Sequence, residues 1–589
     1  MAKNAVFIYL FYWLLPFSLA GQASFTSNSV LSVGNWGKIG VTKEGIYKVD
    51  LAMLGQMGLP NGTINSNSIR LYGNGGSMLA ENTAQSRIDD LAENAIEIVD
   101  EGDGVFNGND YLLFYAAGPH QWTYDSSKGN FNYTKHLYSD TAYYFITINT
   151  SASGKRIIVQ APDPANPSVQ INQYTDRYGF ETDLYNLLNS GKEWVGENFS
   201  TSFGGTLSRT FPVNFSGLIL NEPLQLTTHF TGRSVGTNAQ FNVSLNGINA
   251  QTINIPTVSG DLLGAYAKAV KTTTNLLSNQ ATLSLTMQFQ SAAAGAEGWL
   301  NSFSITGRRA LAFTENTVLR FRDTRSVQNI GGQINSVGQF NISNAPVQTM
   351  AWDISNPFEP IKLSVTQNGS ILSFKNSIQT LKEYIAFTSS QFSTPIIVGK
   401  INNQNLHNTP IANGIIITHP TLLTAANRLA AFHLQQYGFK DAVITIDQIY
   451  NEFSSGTPDV TAIRDYIKFM RDKASSASTR PSYVVLLGAG SFDPKNRINN
   501  NINLVPVFES ANSLEPLLTY TSDDFFGLIG AADDINTNSA TPISISVGRL
   551  PVNNLAEAQI MVDKIIGYHS AKSLGDWRKE MILLADDQD

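Results

Sequence analysis

The sequence predicts several β-rich, sandwich-like domains followed by one doubly wound α/β domain. Three observations predict this. At roughly 100–200 residues per domain, 589 residues imply about three to five domains. Up to about Gln404, apolar residues alternate with polar ones, the pattern of half-buried antiparallel strands. After about Asn405, continuous apolar runs alternate with helical patterns, as in a parallel sheet covered on both faces.

In chain order, Lys3 precedes the apolar run Ala5 to Leu15, Pro16 breaks it, and Ser18-Leu19-Ala20 supplies small residues at a cleavage site. Residues 1–20 therefore read as a signal peptide, and the run is too short to span a bilayer. Residues 21–199 read as an N-terminal β-rich domain. Residues 200–312 read as a β-sandwich: Phe241, Val243 and Leu245 alternate up to the turn Asn246-Gly247, and Leu283, Leu285, Met287 and Phe289 alternate likewise. Residues 313–404 read as a further β-rich domain.

Residues 405–589 carry the α/β pattern. Strands are expected at 414–418, 442–446, 483–487, 543–547 and 581–585. A helix with Leu422, Ala426, Leu429, His433 and Tyr437 on one stripe follows the first strand. Thr457-Pro458 reads as the start of a second helix, faced by Val460, Ile463, Ile467 and Met470. A third runs through Ala558, Met561, Val562 and Ile565. In doubly wound sheets chemistry gathers at the carboxyl ends of the strands. Those ends would hold His419, the loop from Gly488 to Asp493, and Asp586-Asp587.

Composition narrows the partners. The net charge is −8, charged residues are 15% of the chain, and no Lys/Arg stripe is present, which argues against nucleic acid. The chain has no cysteine, so it holds no disulfide, thiolate metal site or thiol nucleophile of its own. An exported, cysteine-free chain fits a bacterial envelope, where stability comes from core size.

Each local candidate has a plainer structural reading. His419 before Pro420 is a possible base or a helix-start residue. His433 falls on an apolar stripe and reads as a core histidine, and His569 reads as a helix C-terminal cation. Gly488-Ala489-Gly490-Ser491 fits neither a phosphate loop nor a nucleophile elbow, and reads as a tight turn. Asp100, Asp103, Asn107, Asn109 and Asp110 could hold a structural calcium or form Asx-Gly turns, the spacing not being that of an EF-hand. Asp523-Asp524 is a paired acid that more often caps a turn or binds a cation. Asp586-Asp587, at the end of a buried strand, could orient a histidine.

Several segments resemble the gingipain-type cysteine peptidase family. They are Ile415 to Pro420, Asp447 to Phe453, Ala462 to Ile467, Leu486 to Asp493, Thr521 to Gly527 and Val547 to Val552. Upstream, Ile69 to Gly76, Ser190 to Trp194 and Gln404 to His407 are similar to the long N-terminal region of the family's sortase-like members, which serve type IX secretion in Bacteroidota. The resemblance implies a caspase-like α/β fold and a Cys–His dyad at the carboxyl edge of the sheet. It implies no cofactor, and an enzyme at the outer membrane surface or outside the cell. Its substrates would be proteins bearing C-terminal sorting domains, with other secretion components and lipopolysaccharide as partners. The family's Tyr-x-Gly-His-Gly histidine motif and its cysteine are not in this sequence. Of the family's catalytic groups only the acid that orients the histidine falls in range, and its position matches Asp587. The expectation is an inactive N-terminal fragment of a cysteine endopeptidase. The competing expectations are a non-catalytic surface protein with a degenerate peptidase domain, and a glycan-binding β-sandwich protein.

Overall fold

A computed structural model describes residues 25–584 except 315–316, 329–335, 532 and 537–541. The signal-peptide reading of residues 1–20 lies outside the described residues. Among those residues, no helix is long and apolar enough to cross a membrane.

The upstream half is built from antiparallel sheets. Strand Trp36–Val41 pairs with Ala142–Ile148 and, on its other side, with Ile396–Ile401. This sheet closes over Gly45–Asp50 and Tyr111–Ala116 around Ile39, Leu71, Phe114, Tyr144 and Ile146. A sandwich follows, with Gln173–Glu181, Glu297–Ala310, Pro223–Arg233 and Lys268–Leu277 in one sheet. The other holds Ser208–Val213, Leu283–Ser291, Ala239–Leu245 and Ile248–Ile255. Its core is the apolar face of the alternating strands: Phe241, Leu283, Leu285 and Phe289 are fully buried, and Phe230 stacks on Phe241 at 4.0 Å. Leu245 pairs with Ile248 across Asn246 (φ 50°) and Gly247 (φ 82°), so the Asn-Gly pair supplies the two positive φ angles of a type I′ hairpin turn.

Connectivity is less sequential than the composition implied. Ile158–Gln160 and Val169–Ile171, upstream of residue 200, pair in parallel with Ile361–Leu363 and Val337–Ile342, downstream of residue 312. The sandwich strands therefore intervene in sequence between two halves of a third pair of sheets.

The last part is a doubly wound α/β unit: β1 (Gly414–Thr418), α1 (Leu423–Tyr437), β2 (Asp441–Thr445), α2 (Ile446–Phe453), α3 (Val460–Asp472), β3 (Tyr483–Leu487), β4 (Ser546–Leu550) and α4 (Leu555–Tyr568). The pairings among β1 to β4 are all parallel, in the order β2-β1-β3-β4. The apolar run of β1 is buried on both faces. Ile416 packs with Leu422, Leu429 and Val562 of the α1/α4 layer, while Ile415 and Ile417 pack with Ile449, Ile463 and Ile467 of the α2/α3 layer.

Four expectations need correction. The α3 helix starts at Val460 with Asp459 as N-cap, its carboxylate accepting the Thr461 N–H, so Thr457-Pro458 only lead into it. Strand β4 spans 546–550, three residues later than read. Met581 to Leu584 form no strand and are 82–94% exposed, and residue 585 lies outside the described residues. The α1 stripe ends before His433, which is half-buried and bonds the Asp441 carboxylate at 2.6 Å; it is not an apolar-core histidine.

Candidate functional site at the carboxyl edge of the sheet

The strand order reverses between β1 and β3, so a crevice opens beyond their carboxyl ends. After β1, the His419 Nδ1 accepts the Thr421 N–H at 3.3 Å and caps the turn Pro420–Leu422, the helix-start role. After β3 the chain turns through Gly488 (φ 144°). A Cβ on Gly490 would lie 2.4 Å from the Val507 side chain and 2.9 Å from the Val505 carbonyl, so the turn depends on close backbone approach. The Ser491 hydroxyl accepts the Asp493 N–H at 3.0 Å.

The loop that follows is closed by a fully buried carboxylate. Asp493 accepts the N–H groups of Lys495 (3.2 Å), Arg497 and Ile498 (2.8 Å) and the Arg497 guanidinium at 2.9 Å. Asp523 accepts two hydrogen bonds from the Arg549 guanidinium on β4, both 2.7 Å. Arg549 also donates to the carbonyls of Gly488, Val505 and Pro506. Of the acid pair at 523–524, Asp523 thus holds a guanidinium that ties β4 to the β3 loop.

The β domains roof this loop and line with it an open cavity of about 410 Å³. Its walls come from His136 and Leu137, from Glu181 to Trp194, from His229 and Asn301, and from Ser491 to Arg497 and Val507 to Ala511. The indole of Trp194 stacks on Phe492 at 5.9 Å, and the Arg497 guanidinium lies 3.6 Å from its centroid. Arg497 also pairs with Asp183 at 3.1 Å, and Lys495 with Asp140 at 2.7 Å, so the β3 loop is pinned to the upstream domains.

Burial sets the protonation states here. It drives the His136 pKa down to about 3, helped by Lys495 and His120 nearby, and that of His229 to about 4. Burial and neighbouring Asp183 raise Glu181 to about 7, and burial raises Glu193 and Glu509. The imidazoles are neutral at neutral pH, while the carboxyls hold their protons more tightly than usual.

A second group lies where the upstream sheet meets α2. His407 is fully buried, with Nδ1 2.7 Å from Glu452 and Nε2 3.0 Å from Asp89, and Asp90 is close by. Both ring nitrogens are engaged by carboxylates, and Glu452 further accepts the N–H groups of Leu406 and His407. That donor set is a hydrogen-bonded imidazolium, with no ring nitrogen left for a metal ion. In the Asp100 to Asp110 run, Asp100 accepts the Gly102 N–H and Asp103 the Val105 N–H, the geometry of Asx turns, and the Asp110 carboxylate reaches back to accept the Asn107 N–H. His569 caps the end of α4, its Nδ1 2.9 Å from the Ile565 carbonyl oxygen. Asp586 and Asp587 lie outside the described residues. His136, Glu181 and Arg497 carried no local signal, whereas Lys192 to Trp194 stood only within a resembling segment.

Residues 407–589 match Peptidase family C25. Latent, dimeric PorU from Porphyromonas gingivalis superposes with a TM-score of 0.79 at 25% identity, over 94% of this chain and 51% of that one. The chain thus spans about half the length of that protein. Two carbohydrate-binding modules match at TM-scores of 0.15, each over 22% of this chain. One is the CBM36-1 domain of a xylanase from the hindgut metagenome of Trinervitermes trinervoides, at 10% identity over 98% of its length. The other is the C-terminal CBM6 of LamC from Zobellia galactanivorans, at 14% identity over 99%. Scores this low carry no argument. No curated protein matches the chain. The C25 match begins at His407, just before β1, and takes in the whole four-stranded sheet, the β3 loop and Arg549. The fold is accordingly that of β-rich domains leading into a caspase-like domain.

Proposed function

We propose that these residues belong to an exported cysteine endopeptidase that removes C-terminal sorting domains from type IX secretion cargo at the cell surface, with lipopolysaccharide and other secretion components as partners. One observation carries the reading: the C25 match and the likeness to PorU coincide, with the β domains and the peptidase sheet in the same order along one chain. The signal-peptide pattern of residues 1–20 agrees with export. Because the 589 residues contain no cysteine, the thiol nucleophile of this reading comes from outside them.

The reading frame beyond codon 589 is the direct test. It should encode a Gly-His-Gly motif and then a cysteine; a stop codon directly after Asp589 overturns the proposal. In the protein so encoded, Cys→Ala should abolish release of a sorting domain from purified cargo, followed by gel shift. Asp587→Asn should lower kcat by about 100-fold with KM little changed, since an acid that orients the base acts mainly in the transition state.

A further inference from the structure

We propose that a cavity of about 250 Å³, where the upstream sheet, the sandwich and the third pair of sheets meet, binds a singly charged oxyanion, a carboxylate or a phosphodiester, carried on a small polar molecule. None of its lining residues falls in the C25 match, so the proposal stands apart from the peptidase reading. The walls gather charge from elements distant in sequence. Asp176 and Arg177 lie on Gln173–Glu181, Arg309 on Glu297–Ala310, and Arg320 and Arg322 on and beside Leu319–Phe321, while Glu44 precedes Gly45–Asp50. Ion pairs join these groups into a network. Asp176 pairs with Arg309 at 2.5 Å and Arg322 at 3.2 Å, and Glu383 with Arg322 at 2.7 Å and Arg177 at 2.9 Å. Glu44 pairs with Arg320 at 2.9 Å. Among the described residues four guanidiniums thus meet three carboxylates, which leaves one positive charge unmatched.

A second observation is independent of that count. The Arg322 side chain lines the cavity at 3% exposure, with Nε and Nη1 spent on Glu383, Asp176 and the Thr175 carbonyl. Its Nη2 has no partner among the described residues, and neither does Nη2 of Arg177 or of Arg309. Guanidinium N–H groups withdrawn from water require acceptors, and an oxyanion supplies two in the geometry of the fork. Asp176 and Glu383 each already span two guanidiniums, so the spacing suits an oxyanion lodged between a pair. Aromatic rings hold the guanidiniums in place before any ligand arrives. Arg177 lies 4.8 Å from the Phe131 centroid and 5.5 Å from that of Trp122, and Arg309 lies 5.4 Å from that of Phe215. Burial, with Arg322 beside it, pushes the Arg177 pKa down to about 10, the response of a guanidinium short of carboxylate. The volume corresponds to about eight waters at about 30 Å³ each, more than a bare oxyanion fills, which favours one with an organic group attached. A metal cation is opposed by the net positive charge.

Calorimetry on the 589-residue chain tests the proposal, with sodium D-glucuronate, sodium dimethyl phosphate and D-glucose as probes. At least one of the two anions should bind with a Kd below about 10 mM, glucose should not, and the tighter anion identifies the oxyanion. Arg320, whose side chain is 43% exposed, can be replaced with little risk to folding. Arg320→Gln removes the unmatched charge and can still donate to Glu44, so it should weaken the anion by about tenfold or more. Glu44→Gln raises the excess to two charges, so it should tighten the anion by about threefold or more. The opposite signs separate charge recognition from a structural role, because a disturbed cluster would weaken binding in both variants. Should one variant not fold, the other still decides. Binding of neither anion up to about 10 mM, or glucose bound as tightly as glucuronate, overturns the proposal. So does a folded variant whose affinity fails to move in its stated direction. Each of these results leaves the reading-frame test of the peptidase untouched.

Discussion

His407 shows how much one residue can carry. Its ring stacks flat on Phe453 at 5.2 Å and bridges Asp89, in an upstream loop, to Glu452 on α2. Burial alone would depress its pKa, but the hydrogen bonds to Asp89 and Glu452 outweigh burial and raise it to about 9, from an ordinary 6.5. A raised folded-state pKa means stability fully present below pH 6.5 and lost as pH rises through 9, worth on the order of 3 kcal/mol. Urea midpoints should therefore fall between pH 6.5 and 9, and His407→Gln should flatten that fall while lowering the midpoint at pH 6.5. A slope unchanged in the variant would assign the pH dependence to another group. The sequence showed His407 only inside a resembling segment, because its partners stand 318 and 45 residues away. Glu181 and His136 were illegible for the same reason: a cavity between domains leaves no spacing in any one of them.

At the scale of elements, more was legible, and the failures have physical causes. Period-two runs and continuous apolar runs became strands wherever burial was decided locally, as at Phe241 to Leu245 and Ile415 to Ile417. The β4 strand slipped from 543–547 to 546–550 because Ile545 is buried in the α2/α3-side core before the pairing with β3 begins, at Ser546 opposite Tyr483. Hydrophobicity marked both stretches, and pairing chose between them. Met581 to Leu584 are apolar enough for a strand, yet they have no ladder partner among the described residues, and propensity alone does not build a strand. The device that locks β4 to the β3 loop is Arg549, mostly buried, with five polar contacts. Arg549→Lys keeps the charge but cannot reproduce the fork on Asp523 and the carbonyls, so it should cost about 2–4 kcal/mol. Asp523→Asn should cost less, and the double variant should lose less than the sum of the two. Additive losses in urea unfolding would show that the pair does not act as a unit.

At the scale of the whole molecule, the peptidase sheet does not own its core. Tyr138 belongs to the same apolar cluster as Ile415, Ile463 and Phe525, and Met78, Leu79 and Leu137 pack against it. The contacts continue in polar form. The Leu79 N–H donates to Asp459 at 2.9 Å, Arg464 donates to the Glu81 carbonyl, and Lys38 donates to Asn451 at 2.9 Å. Removing residues 1–404 would delete those four side chains and uncover the apolar surface they bury, each contact worth about 1.5–3 kcal/mol when fully buried and less where only partly so. It would also strip partners from the buried Asp459 and Arg464, at about 1–3 kcal/mol for each group left unsatisfied. The sum approaches the 5–15 kcal/mol that holds a typical domain together. Residues 405–589 expressed alone should therefore lack a cooperative thermal transition, and residues 21–404 added in trans should restore one. The upstream part alone should keep its sandwich transition, since the cluster around Phe230 and Phe241 draws on no residue beyond 310. If 405–589 alone melted within about 5 °C of the intact chain, the shared core would be contact without consequence. The β domains would then be a platform beside an independent peptidase fold, and pinning of the β3 loop by Asp140 and Asp183 would be the contact left to explain their attachment.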